Sequence, residues 1–218
     1  MGNSALEEAK KYSFEYYTLV KTNQDSLDLI HALQNIGNVY RHLETFDSAI
    51  YYWNAALDII AASGYEKTYI HTSILNNLGE YYVYTENYAS GIDCLNNSLK
   101  IQRSKPDLNP ELYRTTLFNL AEGYRWAEEY AKADLIYHDL IDELLEDIIH
   151  NFAYLSDNEK LSFYKLQLSI LESYTSFALE ISSAFQTQKT DTSYINPEVP
   201  GKLYDLQLTT KAIILNAS

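Results

Sequence analysis

Three stretches of this chain align without a gap at one spacing. Leu33-Gln34-Asn35-Ile36-Gly37-Asn38-Val39-Tyr40, Leu75-Asn76-Asn77-Leu78-Gly79-Glu80-Tyr81-Tyr82 and Leu117-Phe118-Asn119-Leu120-Ala121-Glu122-Gly123-Tyr124 place Gly37, Gly79 and Ala121 42 residues apart. The register continues downstream through Phe46, Tyr88 and Tyr130, then Ala49, Gly91 and Ala133. Trp53, Leu95 and Tyr137 follow, and Ala56, Ser98 and Leu140 close it. A fixed period of this size marks a stack of like units, each too small to bury its own apolar face.

The columns say what each unit is made of. Apolar residues recur at three- and four-residue steps, the spacing of amphipathic helices. The small residues at 37, 79 and 121, and again at 49, 91 and 133, let two helices approach closely. The aromatics at the turns and helix ends fill the space between. Only 7 glycines and 4 prolines in 218 residues leave few breakers, which favours long helices over many short strands. The 21 tyrosines, apolar in the ring and polar at the tip, suit half-buried positions between packed helices.

The run Leu-x-x-Ile/Leu-Gly/Ala-x-x-Tyr, a turn aromatic, then Ala-x-x-x-aromatic-x-x-Ala resembles the tetratricopeptide repeat. That family's usual period is about 34 residues. The longer interval here adds about one turn to each helix and keeps its facing. Such lengthened repeats are similar to those of kinesin light chains and of many bacterial signalling proteins. The resemblance implies an all-α fold, a right-handed α-solenoid of helix pairs with a helical C-terminal extension. Residues 1–25 are expected to form a truncated leading half-repeat, with full repeats over 26–65, 66–109 and 110–150. Residues 151–218 are expected to be an extension toward a further domain.

Asn109-Pro110 supplies a cap and a first-turn proline for the third repeat. Ser156-Asp157-Asn158-Glu159 has the spacing of a capping box opening a helix to about Phe185. Gln186 to Tyr194 reads as a linker, and a last helix is expected from Asn196-Pro197 or Pro200 to Ser218. Leu155 to Lys160, Ser176-Phe177-Ala178-Leu179, Leu203-Tyr204-Asp205 and Lys211 to Ser218 are similar to the segment joining such repeat arrays to CHAT domains, the caspase-like peptidase domains of bacteria. The family's catalytic His and Cys match no position here, so the resemblance implies no enzyme within the chain.

The resemblance also implies a partner-binding groove along the first helix of each pair. By phase its residues are Asn35, Asn38 and Arg41; Asn76, Asn77, Glu80 and Tyr84; and Phe118, Asn119, Glu122, Arg125 and Trp126. Asn side chains both donate to and accept from a peptide backbone. Arg and aromatic residues are favoured interface anchors. The competing reading of the recurrent Asn35, Asn77 and Asn119 is that they satisfy the neighbouring helix. The family's carboxylate-clamp subtype is disfavoured, because Gln34, Thr115 and Asn119 stand where its cations belong.

Charge and composition narrow the partners. A net charge of −14 disfavours nucleic acid and anionic membranes and favours a basic protein or peptide. No apolar run approaches the roughly 18 residues of a membrane span. Cys94, the lone cysteine, fits a reducing, cytoplasmic setting and reads as a small core hydrophobe. The acidic stripe of Asp139, Asp142, Glu143, Glu146 and Asp147 reads as a solvated face. Asp147-x-x-His150 lacks a matching ligand set, so neither a metal nor a cofactor is expected. The expected function is a protein- or peptide-binding scaffold regulating a CHAT-type peptidase. The alternative is the ligand-sensing region of a bacterial signalling regulator.

Overall fold

The caps foreseen at Asn109 and before Asp157 each open a helix in the computed structural model, which describes residues 2–23, 25–105, 109–151, 154, 156–187, 199, 201, 202 and 204. Among these residues the chain is helical and holds no strand. The helices are α1 (Gly2–Asn23), α2 (Ser26–His42), α3 (Phe46–Ser63), α4 (Tyr69–Tyr84), α5 (Tyr88–Arg103), α6 (Pro110–Trp126), α7 (Tyr130–Asn151) and α8 (Asp157–Thr187). The expected linker from residue 188 onward lies outside the described residues. So does most of the expected last helix, of which 199, 201, 202 and 204 are described as helical.

Local chemistry sets the helix starts. The Asp25 carboxylate accepts from the Leu27 and Asp28 amides at 2.9 and 3.2 Å and opens α2. Thr68 accepts from His71 N at the start of α4. Asn109 accepts from the Glu111 and Leu112 amides at 2.9 and 3.3 Å, with Pro110 in the first turn where no amide donor is needed. At α8 the Glu159 carboxylate reaches back to the Ser156 amide at 2.8 Å and also accepts from the Ser156 hydroxyl at 2.6 Å. These two bonds hold the Glu159 carboxyl below its usual range, the hydroxyl bond first.

The helix ends repeat with the period. Glu44, Glu86 and Glu128, spaced like the repeat, all sit in the left-handed region at φ of 57, 62 and 60°. Around each, the following amide bonds a carbonyl five residues back: Thr45 to Tyr40, Asn87 to Tyr82 and Glu129 to Tyr124. The glutamate amides bond Arg41, Val83 and Arg125. This is the Schellman closure, built here with glutamate at the position glycine usually takes.

The chain divides into two compact units, Met1–Gly123 and Tyr124–Ser218. In the first, each helix packs on the next from α1 to α5, and α2 also meets α4. The helices stack as hairpins, the arrangement of an α-solenoid. Gly37 lies against Trp53, where an added Cβ would come within 2.4 Å of the indole nitrogen. Gly79 and Gly91 face one another across α4 and α5, and a Cβ on Gly91 would meet the Gly79 carbonyl oxygen at 2.9 Å. Trp53, Ile30, Leu33, Ala49, Ala56, Ile60, Ile70, Ile74 and Leu78 form the core. In the second unit Tyr137 packs between Tyr174 and Phe177, with ring centroids 5.9 and 5.0 Å away. The columns of small residues and the 53/95/137 and 56/98/140 columns are all buried.

The boundary between the two units falls inside α6. Arg125 lies in the second unit. Its guanidinium is only 9% exposed and reaches α8, bonding Glu180 at 3.0 Å and Ser176 Oγ at 2.9 Å. A buried guanidinium left without such partners would be strongly destabilising.

Candidate functional site

The expected groove residues of the first unit lie on α2, α4 and the part of α6 up to Gly123. What the structure brings together first is a polar seam between α2 and α4. Gln34 donates to Ser73 Oγ at 2.9 Å, Asn77 donates to Asn38 Oδ1 at 3.0 Å, and Arg41 meets Glu80 at 3.4 Å. Each pair is 39 residues apart, three short of the period, so one helix is shifted by about a turn against the other. The residues 34, 38 and 41 form one stripe on α2.

Asn38 does double duty, since its Oδ1 also accepts from Trp53 Nε1 at 3.3 Å within its own hairpin. Between α4 and α6 the amide of Asn119 donates to Asn76 Oδ1 at 3.2 Å. Two of the three asparagines in the recurrent column, Asn77 and Asn119, are therefore bonded to asparagines of the preceding first helix. Asn35 is exposed.

Two expected groove residues are not surface groups. Asn76 is 4% exposed, because its carboxamide is held in the α4–α6 contact. Arg125, expected as a partner anchor, is buried by its pairing with α8. Trp126 is exposed in the second unit, with the Arg125 guanidinium 5.2 Å from its ring. Phe118 and Glu122 are half-buried, while Glu80 and Tyr84 are exposed.

An aromatic cluster that the repeat columns only partly marked lies beside this face. Phe46 packs on Tyr81 at 5.0 Å and on Tyr84 at 5.6 Å between ring centroids. Burial raises the Tyr81 phenol above its ordinary pKa, and the nearby Asp47 carboxylate adds to the shift. A second cluster joins Phe14, Tyr40 and Tyr52, the last two stacked at 5.6 Å. The glutamates at 44, 86 and 128 were visible as a further periodic column, and that signal could have located the left-handed turns.

The remaining reactive groups are accounted for by their surroundings. Burial pushes the Cys94 thiol up to about 11, so it is a thiol and not a thiolate at neutral pH. His71, half-buried at the start of α4, is held below its ordinary pKa by burial, with Glu66 opposing. His150 Nδ1 lies 3.0 Å from the Glu146 carbonyl oxygen, and Asp142 pairs with Lys202 at 2.8 Å. Among the described residues no group of three His, Cys, Asp or Glu could hold a metal ion. Among the same residues no helix is long and apolar enough to cross a membrane. The α2–α4 face presents carboxamides, a guanidinium–carboxylate pair and an exposed phenol.

No family model matches the chain, and no curated protein matches it.

Proposed function

We propose that this chain is a scaffold of the tetratricopeptide kind that binds a protein or peptide along its first helices, acting in the cytoplasm. One observation carries the reading. Successive first helices are joined by side-chain contacts whose donors share one column, Asn77 to Asn38 and Asn119 to Asn76, and leave Asn35, Glu80 and Tyr84 exposed beside them. Such a face offers donors, acceptors and an aromatic edge on a framework already locked by its own bonds, which lowers the ordering cost of binding. Within this reading the chain serves a CHAT-type peptidase as its regulatory region; the similarity of residues 150–218 to the segment preceding such domains supports this role.

Site-specific photocrosslinking tests the scaffold. A photoreactive residue at Asn35 is expected to capture the partner, while one at Asp58 on α3 or Asn97 on α5 is not. Capture confined to the second helices would remove the reading.

A further inference from the structure

Tyr84 is the most exposed aromatic on the first helices, at 73%. Its ring leans on Phe46, which in turn packs on Tyr81, so three rings form a fixed platform at the end of α4 and the start of α3. Carboxylates neighbour its residues along the chain, and Asp47 is near enough to act on the Tyr81 phenol. Glu80 lies one turn before Tyr84 on the same face of α4. Asp47 follows Phe46, and Glu44 and Glu86 occupy the two adjoining turns; all four are exposed. The positive charge nearest in sequence on α2 is Arg41, already paired with Glu80, and beside it stands the exposed His42.

The repeat shows what is missing from this platform. Tyr84 and Trp126 occupy the same column. Trp126 is preceded by Arg125, whose guanidinium lies 5.2 Å from the indole ring. Tyr84 is preceded by Val83, which is buried against Gly91 and Gly123. Among the described residues no cation lies over Tyr84. Elsewhere the chain seats its own cations on rings, with Lys10 5.1 Å from Tyr40 and Lys132 5.0 Å from Tyr124.

Resting on the scaffold reading, we propose that the Phe46–Tyr84 platform binds an arginine side chain of a basic partner segment. The guanidinium stacks on the Tyr84 ring and pairs with the neighbouring carboxylates. The acidic chain, at −14, draws such a segment in.

The test uses the full chain and a dye-labelled peptide of alternating glycine and arginine, read by fluorescence anisotropy. The arginine peptide is expected to bind, and the same peptide with citrulline is not. Tyr84→Phe keeps the ring and binding, whereas Tyr84→Ala weakens binding roughly threefold to tenfold. Glu80→Gln weakens it and Asp58→Asn, about three turns along α3 from Phe46, does not. Equal binding of the citrulline peptide, no effect of Tyr84→Ala, or equal losses from Glu80→Gln and Asp58→Asn would overturn the proposal. So would failure of the arginine peptide to bind. If crosslinking through Asn35 persists in any of those cases, the arginine seat alone is lost; if crosslinking fails too, the scaffold reading falls with it.

Discussion

Asn77 and Asn38 meet side chain to side chain, amide to carbonyl at 3.0 Å, across the boundary between two repeats. The same Asn38 oxygen takes the indole proton of Trp53 from inside its own hairpin. One carboxamide thus ties a hairpin to itself and to its successor. Removing it leaves two donors without their acceptor. Asn38→Ala is expected to destabilise the first unit by about 1–3 kcal/mol. Asn77→Ala should cost less, and a double-mutant cycle by urea denaturation should return a favourable coupling between the two positions.

The close helix crossings respond to a single methyl group. Gly91→Ala drives a Cβ against the Gly79 carbonyl oxygen, which cannot rotate away. Gly37→Ala drives one into the buried Trp53 indole. Each is expected to lower stability by about 1–3 kcal/mol, despite alanine's better helix propensity. Gly201→Ala, a helical position with nothing within 4 Å of the new Cβ, is the control and should not lower stability. Chemical denaturation of the three variants checks this.

The glutamates in left-handed turns predict the opposite sign. Glycine at C′ relieves the steric cost of a positive φ, and loses part of that gain to the greater freedom of the unfolded chain. Glu86→Gly and Glu44→Gly are each expected to raise stability by up to about 1 kcal/mol, read as a higher denaturation midpoint. A fall would show that the side chains make compensating contacts.

Cys94 should be slow to react in the folded chain. Its thiol pKa is raised to about 11 from 9.0, chiefly by burial. Burial opposes the thiolate, so deprotonation favours the unfolded chain, and this contribution to stability falls as pH rises from 9 towards 11. At pH 8 the thiolate fraction is lower than that of a free thiol by roughly a hundredfold, and alkylation should slow accordingly. Urea should restore the ordinary rate.

Much of the architecture was legible because burial leaves a periodic trace. The spacing of Gly37, Gly79 and Ala121, and of Trp53, Leu95 and Tyr137, marks side chains that are buried in the structure. The candidate face was legible only in part. Phase places Asn76 and Arg125 on the first-helix face, but phase cannot tell a side chain facing solvent from one facing the next helix. Asn76 is consumed by Asn119, a contact 43 residues away. Arg125 is consumed by Glu180 and Ser176, more than 50 residues away and outside the periodic region. The Phe46–Tyr81–Tyr84 cluster was hidden for a like reason, since it joins the start of α3 to the end of α4, positions 35 and 38 residues apart in the chain.

The most direct test of the account is a nuclear Overhauser contact in solution. The chain has only 2 tryptophans, so the Trp53 indole proton can be assigned with a Trp126→Phe variant. Both that proton and the Asn77 side-chain amide point at the Asn38 oxygen, and a cross-peak between them is predicted. An indole whose cross-peaks stop at its own hairpin, with none to Asn77, would contradict the stacking of one repeat on the next.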